Sequence, residues 1–298
     1  MRFLRRLAAV GCLCGFAVPA LADSTVQDFS NPGVKGTNYA EYGTKLGGGY
    51  SQSGGPAGAP NFYRLTQAFI GSDQNQIAFS LTAPGPTAHV VGSFDFRIGG
   101  QPACHADGMS IVLIDNANYP DGGDPSNPAN GPSISEEGST NRGGGLGICL
   151  DDYNNGNPYD VNPAPGLPNG TDDDEVSVNI ISFGQGGGGR YDFVYGVDLW
   201  STTGLQYNMH QNNLDDANTP FDHCDFTVDI DPAGGGATVK VYITSSQKDG
   251  TGGQRFQALS VVVPGVLPYE MRVGFGGRTG GCDDTHDIAN VNVSFSPP

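Results

Sequence analysis

Phe94-Asp95-Phe96-Arg97-Ile98 and Phe226-Thr227-Val228-Asp229-Ile230 alternate apolar and polar residues one by one. Successive side chains of a β-strand point to opposite faces, so a period of two marks strands with one face on a core and the other in water. Segments with the spacing of an amphipathic helix are almost absent. The 47 glycines and 21 prolines would interrupt helices and suit many loops between short strands. Further strands are expected at Thr25–Phe29, Phe62–Thr66, Ile77–Leu81, Met109–Asp115, Leu146–Leu150, Val176–Phe183 and Tyr191–Leu199. Thr238–Ile243, Leu259–Val263, Met271–Gly276 and Ile288–Ser294 complete the set. The fold expected is all-β, a two-sheet antiparallel sandwich of jelly-roll type. No linker-like break and no internal repeat interrupts the body, which reads as one domain over residues 23–298.

The first residues set the compartment. Met1 to Arg6 is basic, Leu7 to Val18 is apolar, and Ala20-Leu21-Ala22 is a small-residue cleavage site. This is the pattern of a cleaved secretory signal peptide over residues 1–22, with a bacterial look, and it predicts a secreted or periplasmic protein. No later run is long enough to span a membrane as a helix.

Removing Arg2, Arg5 and Arg6 leaves 11 of the 14 basic residues against 31 acidic ones. A chain this acidic is a poor partner for nucleic acid or an anionic membrane, both of which need positive charge. Glutamate occurs only at 41, 136, 137, 175 and 270, so the acidity is mostly aspartate, a residue of turns and Ca2+ loops. Cys104, Cys149, Cys224 and Cys282 remain after the signal. An even number in an exported chain predicts two disulfides, with three connectivities open.

Asp151-Asp152-Tyr153-Asn154-Asn155 brings oxygen donors together as a strand runs out, with Asp160 nine residues after the first carboxylate. Asp151, the Tyr153 carbonyl, Asn155 and Asp160 can converge on a hard cation such as Ca2+, which takes six to eight oxygens. Taken alone, the same residues also suit an ordinary Asx-rich turn. Asp172-Asp173-Asp174 reads as a solvated loop, and Asn169-Gly170-Thr171 and Asn292-Val293-Ser294 match the N-glycosylation pattern.

Three segments in order, over roughly residues 60 to 296, resemble the L-type lectins, meaning the legume lectins and the animal cargo lectins of the early secretory pathway. They are Ala106-Asp107-Gly108-Met109-Ser110-Ile111-Val112-Leu113, then Gly145 to Asn155, then Val273-Gly274-Phe275-Gly276-Gly277-Arg278-Thr279-Gly280-Gly281 with Asp284, His286, Asp287 and Ile288 after it. The resemblance implies a concanavalin-like sandwich and a cis peptide before Asp107, whose carboxylate accepts hydrogen bonds from sugar hydroxyls. It implies Ca2+ on Asp151, Tyr153, Asn155 and Asp160, an amide from Asn155 to the sugar, and backbone contacts from Gly280 and Gly281. Because Cys104 and Cys282 both fall beside that site, a bridge between them is the pairing expected.

Some residues depart from the family pattern. Cys149 stands where the legume lectins carry the glutamate of a second, transition-metal site, so no such site is expected. Met209-His210-Gln211-Asn212-Asn213 resembles the loop that supplies the last metal aspartate in the cargo lectins, which makes Asn213 or Asp215 the alternative to Asp160. His286 is expected to hydrogen-bond at its strand end, and Trp200 and Tyr153 are candidates to stack on sugar.

The function expected is a non-catalytic, Ca2+-dependent lectin for mannose- or glucose-type glycans. One shallow site would need avidity, as from a homo-oligomer. The alternatives are a Ca2+-stabilised structural or adhesion protein, and a glycoside hydrolase of the same fold. A hydrolase needs a carboxylate pair, and no strand shows an E-x-D-x-x-E pattern.

Overall fold

The computed structural model describes residues 23–30, 38–100, 104–119, 134, 136, 145–153, 172–182, 190–199, 207–246 and 253–298. Every regular element among them is a strand, and no helix among them is long and apolar enough to cross a membrane. In chain order these are β1 (Asp23–Gln27), β2 (Tyr39–Gly43), β3 (Tyr50–Ser53), β4 (Asn61–Thr66), β5 (Gln74–Phe79) and β6 (His89–Gly99). Then come β7 (Gly108–Asp115), β8 (Gly145–Tyr153), β9 (Asp172–Ser182), β10 (Arg190–Asp198) and β11 (His210–Gln211). The last are β12 (Asp222–Asp231), β13 (Gly236–Thr244), β14 (Arg255–Val263), β15 (Met271–Arg278) and β16 (Thr285–Ser296).

They form two sheets. One runs β14-β13-β12-β6-β16-β4-β3, with β1 on β16 and β11 on β6; the other runs β10-β9-β8-β7-β15-β5-β2. All pairs are antiparallel except β11 with β6, where His210 and Gln211 lie parallel to Ile98 and Gly99. The strand β9 begins at Asp172, so Asp172–Asp174 lie in a strand and not in the loop expected. The strands β2, β3 and β11 are short and mixed in polarity, which left them without a periodic signal in the sequence.

The core between the sheets obeys the alternation. Met109, Ile111 and Leu113 of β7, Leu146, Ile148 and Leu150 of β8, and Val273 and Phe275 of β15 meet Val90, Phe94, Phe96 and Ile98 of β6 and Phe226 and Val228 of β12. Gly92 occupies the core-facing position between Val90 and Phe94 because a Cβ there would lie 2.1 Å from the Phe226 ring. The opposite face of the seven-stranded sheet carries a smaller apolar cluster of Tyr42, Ala78, Val112, Ile114, Tyr119 and Ile134. Ile134 lies on Gly276, where a Cβ would come within 2.4 Å of its carbonyl oxygen.

A buried ion cluster fixes the other sheet. Asp287 of β16 accepts from Arg64 Nε at 2.9 Å and Arg97 Nε at 2.8 Å, and Asp216 accepts from both guanidinium groups at 2.6 and 3.0 Å. Arg97 also donates to the carbonyls of Asp216 and Thr219 and stacks on Phe62 and Phe221. The segment after β11 is thereby tied to the sheet.

The structure joins Cys104 to Cys282, as the resemblance implied. It overturns the expectation of a second bridge: Cys149 and Cys224 are buried thiols on different sheets.

Candidate functional site

Of the residues expected at the site, Asp107, Asp151, Tyr153, Gly280 and Gly281 are described, and they lie at one end of the seven-stranded sheet, where β7, β8 and β15 meet the turn after β15. The peptide between Ala106 and Asp107 is cis. Asp107 donates its N–H to the Arg278 carbonyl at 3.2 Å, and its own carbonyl receives the Asp152 N–H at 3.4 Å. Its carboxyl lies beside Gly280, where a Cβ would sit 3.4 Å from both oxygens. Burial raises the Asp107 carboxyl to about 6, against an opposing pull from Arg278, whose Nε lies 3.7 Å from Oδ2. Arg278 also donates to Glu136 at 2.9 Å.

Gly280 and Gly281 differ in role. The Gly280 N–H donates to the Cys282 carbonyl at 3.0 Å, and the Gly280 carbonyl accepts from Ser72 N–H. Gly280 is thus engaged within its own loop and contributes space, in place of the backbone contact expected of it. Gly281 is exposed, with open space where a side chain would be.

Asp151 lies opposite Gly108 on one side and Glu175 on the other, and Glu175 lies opposite Asp198. All three carboxylates are buried. Directly paired residues share a face, so a row of three acids crosses β8, β9 and β10 beside the Asp107 segment. The Asp151 carboxylate also accepts the Tyr153 N–H at 3.0 Å. Tyr153 is half-buried at the end of β8. Asn155 and Asp160 lie outside the described residues, as do Trp200 and Asn169.

Asp152 was not among the residues expected here. The pairing of β8 with β9 is irregular between Asp151 and Tyr153, and Asp152 takes the side that Leu150 and Ile148 use for the core. It is 1% exposed. Burial first, then the Asp284 carboxylate, pushes its pKa well above the usual range. Asp284 in turn meets His210 Nε2 at 3.3 Å, and His210 stacks on His105 at 3.4 Å. The signal available was a carboxylate on a core-facing parity, which requires a partner. His286 does bond at its strand end: the Thr66 hydroxyl donates to the Asp284 carbonyl, so His286 Nδ1–H donates to Thr66 Oγ1 at 2.5 Å. Burial holds that imidazole neutral, down to about 3. Asn213 and Asp215 are exposed, Asn213 at a positive φ of 56° and Asp215 capping its own turn through Ala217 and Asn218.

Solved structures share this architecture. The exoplasmic/lumenal domain of VIP36 in its Ca2+/Man-bound form matches with a TM-score of 0.53 at 16% identity, over 91% of this chain and 88% of that one. The Lotus tetragonolobus seed lectin matches at 0.53 and 14%, over 93% of this chain and 100% of that one. Lectin UEA-II complexed with galactose matches at 0.52 and 15%, over 92% and 98%. The fold is that of the legume-type lectins. At these identities the likeness extends to the fold alone. No family model matches the sequence, and no curated protein matches it.

The residues present fit a hard cation. Asp107 Oδ2 and both Asp152 oxygens have no hydrogen-bond partner among the described residues. Three more carboxylates stand side by side in the Asp151 row. A buried carboxylate with unpartnered oxygens, as at Asp107 and Asp152, favours a nearby cation, and carboxylate oxygens suit Ca2+ over softer metals. Among the described residues no three His, Cys, Asp or Glu groups by themselves converge at metal-binding distance.

Proposed function

We propose that this chain is a secreted, Ca2+-dependent carbohydrate-binding protein, with residues 1–22 as its cleaved signal peptide. The observation that carries this reading is the Asp107 carboxyl. It is buried, lacks a hydrogen-bond partner at Oδ2, packs beside Gly280 and lies next to an acidic strand end suited to Ca2+. Solved neighbours of the same fold are a Ca2+/Man-bound domain and a galactose complex, which supports a glycan ligand. Asp151, the Tyr153 carbonyl, Asn155 and Asp160 would hold the ion. Bound there, Ca2+ would supply the positive charge that keeps neighbouring carboxylates ionised.

The chain's own residues do the recognition. Asp107 accepts hydrogen bonds from two sugar hydroxyls, Asn155 donates its amide, and the Gly281 N–H adds a fourth contact. The Cys104–Cys282 bridge ties the glycine loop to the segment before Asp107, so the two walls of the pocket keep their spacing. A mannose- or glucose-type ligand is the reading carried over from the family resemblance, and clustered glycans or a homo-oligomer would supply avidity. A hydrolase would need its carboxylate pair open to a sugar. The Asp151, Glu175 and Asp198 side chains belong to residues 2%, 1% and 2% exposed, which suits ion binding and not attack on a substrate.

Calorimetric titration with Ca2+ tests the metal half. Residues 23–298 should bind Ca2+ with a rise in melting temperature, since a ligand that binds only the folded state stabilises it. Asp151→Ala should bind at least tenfold more weakly. Unaltered Ca2+ binding in that variant would contradict the ligand set.

A further inference from the structure

We propose that Phe69 forms a second sugar subsite beside the first, so that the site takes an oligosaccharide. This rests on the reading of Asp107 and the glycine loop as the first subsite. Phe69 is 68% exposed, the most exposed of the large hydrophobic residues described. Its φ is +66°, a left-handed conformation that bulky residues rarely adopt. Backbone outliers of this kind concentrate at ligand clamps, where the surroundings hold them.

The surroundings here belong to the proposed sugar loop. The Phe69 N–H donates to Asp283 Oδ1 at 2.6 Å, directly after Cys282. The Thr279 hydroxyl donates to the Ile70 carbonyl at 2.8 Å and accepts the Asp73 N–H at 3.0 Å. The Ser72 N–H donates to the Gly280 carbonyl at 3.2 Å, and the Thr279 N–H donates to the Asp73 carbonyl at 2.8 Å. The segment 67–73 and the loop 279–283 are therefore tied together by these hydrogen bonds. The Asp73 carboxylate anchors them further, taking the N–H groups of Leu46, Gly47 and Gly48.

A phenyl ring held out in water from a backbone bonded to the loop that shapes the first subsite presents a flat apolar surface. A pyranose has one face made of C–H groups, and aromatic rings supply area for such faces at little entropic cost. The occupant assigned is the sugar unit next to the one held by Asp107, continuous with the first subsite.

Solution titrations in Ca2+ with mannose, glucose and galactose, and with their di- and trisaccharides, test this. The intact site should bind an oligosaccharide at least tenfold tighter than its monosaccharide. Phe69→Ala should abolish most of that gain, leave monosaccharide affinity within twofold, and leave the melting temperature unchanged. Phe69→Trp should retain the gain, and its emission should shift with oligosaccharide but not with monosaccharide. Equal losses for both ligand lengths, or no loss for either, would overturn the subsite while leaving the first site standing. Failure of every sugar to bind the intact protein would overturn both.

Discussion

Burial lifts the Asp107 carboxyl to about 6 from a reference of 3.8, which fixes the sign of its effect on stability. Without a cation, the folded protein keeps this proton while the unfolded chain releases it. Asp107 therefore lowers stability as pH rises from about 4 to about 6. Sugar binding runs the other way, because only the ionised carboxylate accepts two hydroxyl donors. Affinity for a bound glycan should fall as pH drops through about 6 in low Ca2+, and saturating Ca2+ should move that midpoint downward by favouring the anion. Titrations at stepped pH in two Ca2+ concentrations measure it, and a midpoint unmoved by Ca2+ would separate the two groups energetically. Asp107 and Asp151 were legible because each sits in a short ordered motif. Asp152 was not: it shares the core-facing parity of Ile148 and Leu150, but the groups that meet it there, Asp284 and His210, are distant in sequence, and no local pattern records them.

At the scale of elements, the ion cluster on β4, β6 and β16 holds the segment after His210. Asp287 is fully buried between Arg64 and Arg97, whereas Asp216 is half-exposed. Asp287→Ala would leave two buried guanidinium groups sharing the half-exposed Asp216 and should cost roughly 3–5 kcal/mol in urea denaturation. Asp216→Ala leaves Asp287 in place and should cost under about 1 kcal/mol. Equal losses would mean that burial does not set the worth of these pairs. The alternation of β6 predicted its strand and its faces, yet gave Arg97 to the solvent side. Arg97 is covered by Phe62, Phe221 and the carbonyls of Asp216 and Thr219, all distant in sequence. The strands with clean alternation or long apolar runs could be read in advance. The strands β2, β3 and β11 exist because neighbours offer them an edge, and their own residues do not announce it.

For the whole molecule, the two sheets and the glycine loops have one consequence: they bring three distant stretches, near 107, 151 and 280, to the same end of the sandwich. The order of motifs anticipated that meeting. The same reasoning paired Cys104 with Cys282 but did not reach Cys149 and Cys224, because the sheet on which each of these falls depends on crossovers between sheets. Cys149 and Cys224 are consequently separate. The most direct test of a Ca2+-dependent lectin is a glycan array probed with residues 23–298 in Ca2+ and again after EDTA, beside Asp107→Asn. The expected result is binding in Ca2+ that disappears in EDTA and in the variant, while the variant still gains melting temperature from Ca2+. Glycan binding that survives both EDTA and Asp107→Asn would contradict a Ca2+-dependent site built on Asp107.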